Sequence, residues 1–119
     1  MAAPNIVNVA TIKGNTAVLA VTTAAADIVA NAASSGKVYK INTVIVSNVD
    51  GTNAADITGS LYRSGTEWNF ASTISVPADS TLVLIDKSTA LYLEEGDAIR
   101  LTASATGDLE AICSYEEIS

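Results

Sequence analysis

The chain has 119 residues, with thirteen Asp and Glu against six Lys and Arg, a formal charge of −7 and no histidine. At this length folding removes about two thirds of the unfolded chain's surface from water, enough for one hydrophobic core, so a single domain is expected. Charged residues are only 16% of the chain, against about 25% in ordinary domains, which predicts a neutral Ala/Ser/Thr surface that meets other chains as well as water.

In chain order, residues 1–15 read as an extended N-terminal arm or edge strand, with Pro4 near its start and Ile6 and Asn8 alternating against Val7 and Val9. Ile6, Val7 and Val9 are its candidate assembly contacts. Between Thr16 and Ala33 an Ala-rich helix competes with strands. The β-branched Val18, Val21, Thr22, Thr23, Ile28 and Val29, and the lack of a good cap, favour strands at about 16–23 and 26–31. From Lys37 onward short β-rich runs are broken by turn residues about every ten positions, the pattern of an antiparallel sandwich or barrel.

These runs are Val38 to Val49, Ile57 to Tyr62, Trp68 to Val76 and Leu82 to Ile85. They are separated by Asp50-Gly51-Thr52-Asn53, Arg63-Ser64-Gly65-Thr66 and Pro77-Ala78-Asp79-Ser80, all rich in turn formers. Leu91 to Ala103 reads as a hairpin that turns at Glu95-Gly96-Asp97, with Leu91, Leu93, Ile99, Leu101 and Ala103 inside and an acidic tip in solvent. Leu109 to Ile118 forms the last strand, with Leu109, Ala111, Cys113 and Tyr115 on one parity and the single cysteine buried. Gly59 alone among the glycines falls inside a strand, which predicts a bulge or a close backbone approach. The expected organisation is an arm over residues 1–15 and one all-β antiparallel sandwich over residues 16–119.

Site chemistry is largely excluded. Without histidine and with one cysteine, neither a Ser-His-Asp nor a Cys-His centre nor a His-metal site can be built, so no enzymatic activity, cofactor or metal is expected. The stretch Asp50 to Asp56 spaces oxygen side chains along a loop, but it does not match an EF-hand and its residues are ordinary turn formers. Tyr62, Trp68 and Phe70 flank a Gly-containing turn; core or interface packing is the expected role, and a surface aromatic patch for stacking sugar rings is the alternative. The six basic residues are dispersed, which leaves neither nucleic acid nor an anionic membrane as an expected partner. Met1-Ala2-Ala3-Pro4-Asn5 has neither the basic start nor the apolar run of a signal peptide, so synthesis in the cytosol is expected.

Three segments carry a resemblance: Lys37-Val38-Tyr39-Lys40-Ile41 leading into Val44 to Gly51, Ile74-Ser75-Val76-Pro77-Ala78, and Tyr92-Leu93-Glu94-Glu95-Gly96-Asp97-Ala98-Ile99-Arg100-Leu101. In these the chain resembles small virion structural proteins of tailed bacteriophages, including those of marine and cyanobacterial hosts. The resemblance implies a jelly-roll-like β-sandwich present in many symmetry-related copies, and it carries no catalytic motif. Its first implied placement is capsid decoration: a cement protein on the outer face of the virion, made in the host bacterial cytoplasm, with itself (as a trimer) and the major capsid protein as partners. The alternative is a tail or fibre protein that contacts other tail proteins and contributes to host-surface glycan attachment.

Overall fold

Runs of β-branched and small residues that alternate in burial form nine strands in the computed structural model, which describes residues 9–119. They are β1 (Ile12–Val21), β2 (Ala26–Ala30), β3 (Val38–Asn48), β4 (Ala55–Arg63), β5 (Thr66–Val76), β6 (Thr81–Ile85), β7 (Leu91–Leu93), β8 (Ala98–Ala103) and β9 (Leu109–Ile118). One sheet has the order β1-β9-β3-β6, with β7 beyond β6 along the same edge of β3; the other has the order β2-β8-β4-β5. All pairings are antiparallel, and they nest: β1 with β9, β2 with β8, β3 with β6, β4 with β5. Such nesting is a long hairpin rolled into two facing sheets, the jelly-roll arrangement.

The core lies between the sheets. Ile41, Val44 and Val46 of β3 and Leu109, Ala111 and Cys113 of β9 face Ile57 of β4 and Ile99 and Leu101 of β8, all fully or almost fully buried. In β3 the inward positions shift from odd to even residues because the ladder slips between Ile41 and Thr43, placing Asn42 in a bulge. The hairpin joining β4 to β5 closes on Ser64 and Gly65, both with positive φ (52° and 81°), which suits the right-handed twist of the flanking strands.

Three expectations change. The boundary at residue 15 falls within β1, since Ile12 to Asn15 already pair with β9. Leu91 to Ala103 is not a hairpin: β7 joins β3 in one sheet and β8 joins β2 and β4 in the other, so the Glu95-Gly96-Asp97 turn carries the chain across the sandwich. The alternation of apolar residues fixes which side chains point inward and says nothing of which strand lies alongside. The acidic turn is also not wholly solvated, because Asp97 is only 3% exposed.

Gly59 meets both parts of its expectation. The β4–β5 register shifts on either side of it, and a Cβ at this position would lie 2.7 Å from Cε1 and 2.8 Å from Cζ of Phe70 and 3.3 Å from Cδ2 of Leu101. Gly59→Ala is expected to cost about 1–3 kcal/mol through overpacking, with Phe70→Leu recovering part of the loss in the double variant. Urea unfolding of the three proteins measures this, and an unchanged midpoint for Gly59→Ala would remove the close-approach argument.

Candidate functional site

The outer face of the β1-β9-β3-β6 sheet is built from residues of the parity opposite to the core. The ladders align Val18 with Ile112, Ile112 with Ile45, and Ile45 with Val83, so one row of branched aliphatic side chains crosses four strands. Val18 is 74%, Val83 55% and Ile112 40% exposed, and Ile45 is half-buried. The neighbouring rows are small and mostly neutral: Ala20, Glu110, Ser47 and Thr81 on one side, Thr16, Ser114 and Thr43 on the other. Val18, Ala20, Ser47, Glu110 and Ile112 line a shallow depression of about 380 Å³ here. An aligned row of this kind differs from scattered exposed aliphatics and is the surface expected of a chain that meets another protein.

The proposed arm contacts divide at the first described residue. Ile6 and Val7 lie outside the described residues, whereas Val9 is half-buried beside Ala10 and Thr11, whose N–H groups both donate to the Ser119 carbonyl at 2.9 Å. The aromatic residues do not form one patch. Trp68 lies opposite Leu61 and Tyr62 opposite Glu67, so the alternation of a strand sends Trp68 and Tyr62 to opposite faces. Tyr62 lies under the Arg100 guanidinium, 3.5 Å from its ring centroid, and Arg100 Nε donates to Asp27 Oδ1 at 2.8 Å. That hydrogen bond is the main cause holding Arg100 above its usual pKa. Phe70 packs against the core over Gly59, and Trp68 is 63% exposed.

The polar groups are committed to structure. Arg63 Nε donates to Asp97 Oδ1 at 2.9 Å and Nη2 to Oδ2 at 2.5 Å, while the Glu94 N–H donates to the same Oδ2 at 2.8 Å. The bond to Asp97 is the main cause holding the Arg63 guanidinium above its ordinary pKa. In the Asp50 loop the carboxylate Oδ1 accepts from the N–H groups of Thr52 at 2.7 Å and Asn53 at 3.2 Å, which lowers the pKa of Asp50. The loop is thus closed on its own backbone, and among the described residues no group of three acidic, His or Cys side chains is placed to hold a metal. Cys113 is fully buried, and burial pushes its thiol up to about 12.

Two residues that hold the sandwich together had no signal in the sequence. Asn31, at the end of β2, donates through Nδ2 to the carbonyls of Lys37 and Leu93, and Asn48, at the end of β3, donates to those of Asn53 and Val76. Each links one sheet to the other. The apolar row was partly legible, since assigning Cys113 to the buried parity of β9 puts Ile112 on the outer one.

No protein-family description matches the sequence, and no curated protein matches it. A solved chain from the Bacillus endospore appendages, described as a family of disulfide-linked pili, is similar with a TM-score of 0.53 and 19% identity over 92% of this chain and 88% of that one. At this identity the likeness concerns the fold, an all-β sandwich.

Proposed function

We propose that this protein is a non-enzymatic structural subunit that works in many copies as part of a surface assembly. The observation that carries this reading is the aliphatic row Val18, Ile112, Ile45 and Val83 across the outer face of one sheet, in a chain without histidine and with its one cysteine buried. Small contacts of this kind gain strength from repetition, because each further contact in an assembly forms at high effective concentration.

The placement we favour is capsid decoration on the outside of a virion, supported by the segments around Val44 to Gly51 and Tyr92 to Leu101. Here the major capsid protein is the second partner and the N-terminal arm an additional contact. A second reading, a fibre subunit, is favoured by the fold likeness to a pilus protein. Links of the disulfide kind that describe those pili would have to be replaced by non-covalent contacts, since Cys113 is not accessible. Light scattering on the free protein is expected to give a multiple of the 12.2 kDa chain mass. A monomer at all concentrations would overturn self-assembly, and copy number on purified particles would separate decoration, with hundreds of copies, from a tail or fibre position with few.

A further inference from the structure

Among the described residues both sheets end on each side in a strand with an unpaired edge, and four devices usually blunt such edges: short length, bulges, charges and proline. β2 has five residues, a register break between Asp27 and Val29 and the Asp27–Arg100 ion pair. β5 has two register breaks against β4, and Thr73 takes a left-handed φ of 46°. β6 and β7 have five and three residues. β1 has the least protection: its ten residues pair with β9 without a break and contain no proline, and its single charge is Lys13. Among the described residues nothing pairs with its outer side.

The phase of the ladder identifies the free groups. Thr11 and Ser119 exchange N–H···O bonds of 2.9 Å in both directions, so they are a hydrogen-bonded pair. Alternation along the antiparallel ladder then directs Lys13, Asn15, Ala17 and Leu19 toward β9 and leaves the N–H and C=O groups of Ile12, Gly14, Thr16, Val18 and Ala20 pointing away from it. This edge is self-complementary. In an antiparallel pair with Thr16 opposite Thr16, Gly14 lies opposite Val18 and Ile12 opposite Ala20, and all five residues use both backbone groups. Sliding by one hydrogen-bonded step leaves an end residue of each copy unpaired.

The side chains agree with that register. Each large residue meets a small one, and the space where a Gly14 side chain would stand is open, with nothing within 4 Å, which leaves room for Val18 of a second copy. Lys13 faces Leu19, and the two lysines lie about 20 Å apart at ~3.4 Å per residue, beyond the screening length of about 8 Å in physiological salt.

We infer that the free edge of β1 is a homotypic docking edge, where two copies pair antiparallel about a two-fold axis at Thr16 and join their sheets into one. This rests on the self-assembly reading above and names its contact; a two-fold contact builds pairs where the bacteriophage resemblance implies trimers.

Cysteine crosslinking in the full chain tests it. Opposed Cα atoms in a hydrogen-bonded pair are about 5.5 Å apart, within disulfide reach, so Thr16→Cys is expected to give a covalent dimer on mild oxidation. Val18→Cys places its two thiols about 14 Å apart along the strands and is expected to stay uncrosslinked, and Cys113 is too buried to compete. Thr16→Lys, at an exposed position, sets two ammonium groups against each other and is expected to weaken association at least tenfold. Equal crosslinking of both cysteine variants, or wild-type association in Thr16→Lys, overturns the edge while leaving self-assembly standing. A monomeric wild-type protein overturns both.

Discussion

Replacing Arg63 with methionine is expected to destabilise the protein by about 3 kcal/mol, more than any change to the surface charges elsewhere. Asp97 is a carboxylate with 3% exposure, and of its donors only the Glu94 N–H remains once the guanidinium is gone. Removing one partner of a buried ion pair costs about 3–5 kcal/mol because the other charge is left uncompensated. The lower figure applies here, since Arg63 is itself 41% exposed and water can follow it out. Asp97→Asn should cost less, about 1–2 kcal/mol, because the amide oxygen still accepts from Glu94 and the stranded guanidinium keeps Glu94 and solvent. The double variant should therefore be more stable than Arg63→Met alone. Urea unfolding of the three proteins provides the ranking, and a single Arg63→Met loss no larger than that of Asp97→Asn would refute the account.

The second large effect is expected at Asn48. Its side chain accepts from the Asp50 N–H at 2.9 Å and donates at 2.9 Å to the carbonyls of Asn53 and Val76. Leucine has the same number of side-chain heavy atoms in a similar branched shape and satisfies none of the three. A buried polar group left without a partner costs about 1–3 kcal/mol, and the groups at Asp50 and Asn53 can recover water at the loop, so Asn48→Leu should lose about 2–4 kcal/mol in total. Hydrogen exchange distinguishes this from a general loss of packing: the Asp50 amide should lose protection well before the amides of β9. Uniform loss of protection would show that Asn48 acts through core volume instead.

Much of the fold was legible because it depends on period two. The inward parity of β9, the burial of Cys113, the turns at Asp50 to Asn53 and Arg63 to Thr66, and the special place of Gly59 all follow from local pattern. What the pattern lacked were pairings across long separations. Nothing near Glu94-Glu95-Gly96-Asp97 announces that Arg63 closes over Asp97, so the turn reads as a solvated tip. Asn31 and Asn48 sit near the ends of predicted strands without a visible role until the carbonyls of Leu93 and Val76 arrive beside them. The bulge at Asn42 changes which residues of β3 face inward, and it falls in the mixed stretch Lys40-Ile41-Asn42-Thr43, where no glycine or proline announces the slip. Trp68 and Tyr62 looked like parts of one patch by proximity in sequence, whereas the strand period divides them.

The central position of β9 has a consequence for biosynthesis. β1 can acquire its neighbour only when residues as far along as Leu109 to Ile118 are available, since Ile12 pairs with Ile118 and Val21 with Leu109. Within this sandwich β1 therefore waits for a strand that follows it by about a hundred residues, and such long-range pairing is slow to form. Until then the β1 segment has no sheet to extend, so its edge is not presented as a template while neighbouring ribosomes hold incomplete copies. If copies dock through β1 as proposed above, each chain therefore closes its own sandwich before it can join another.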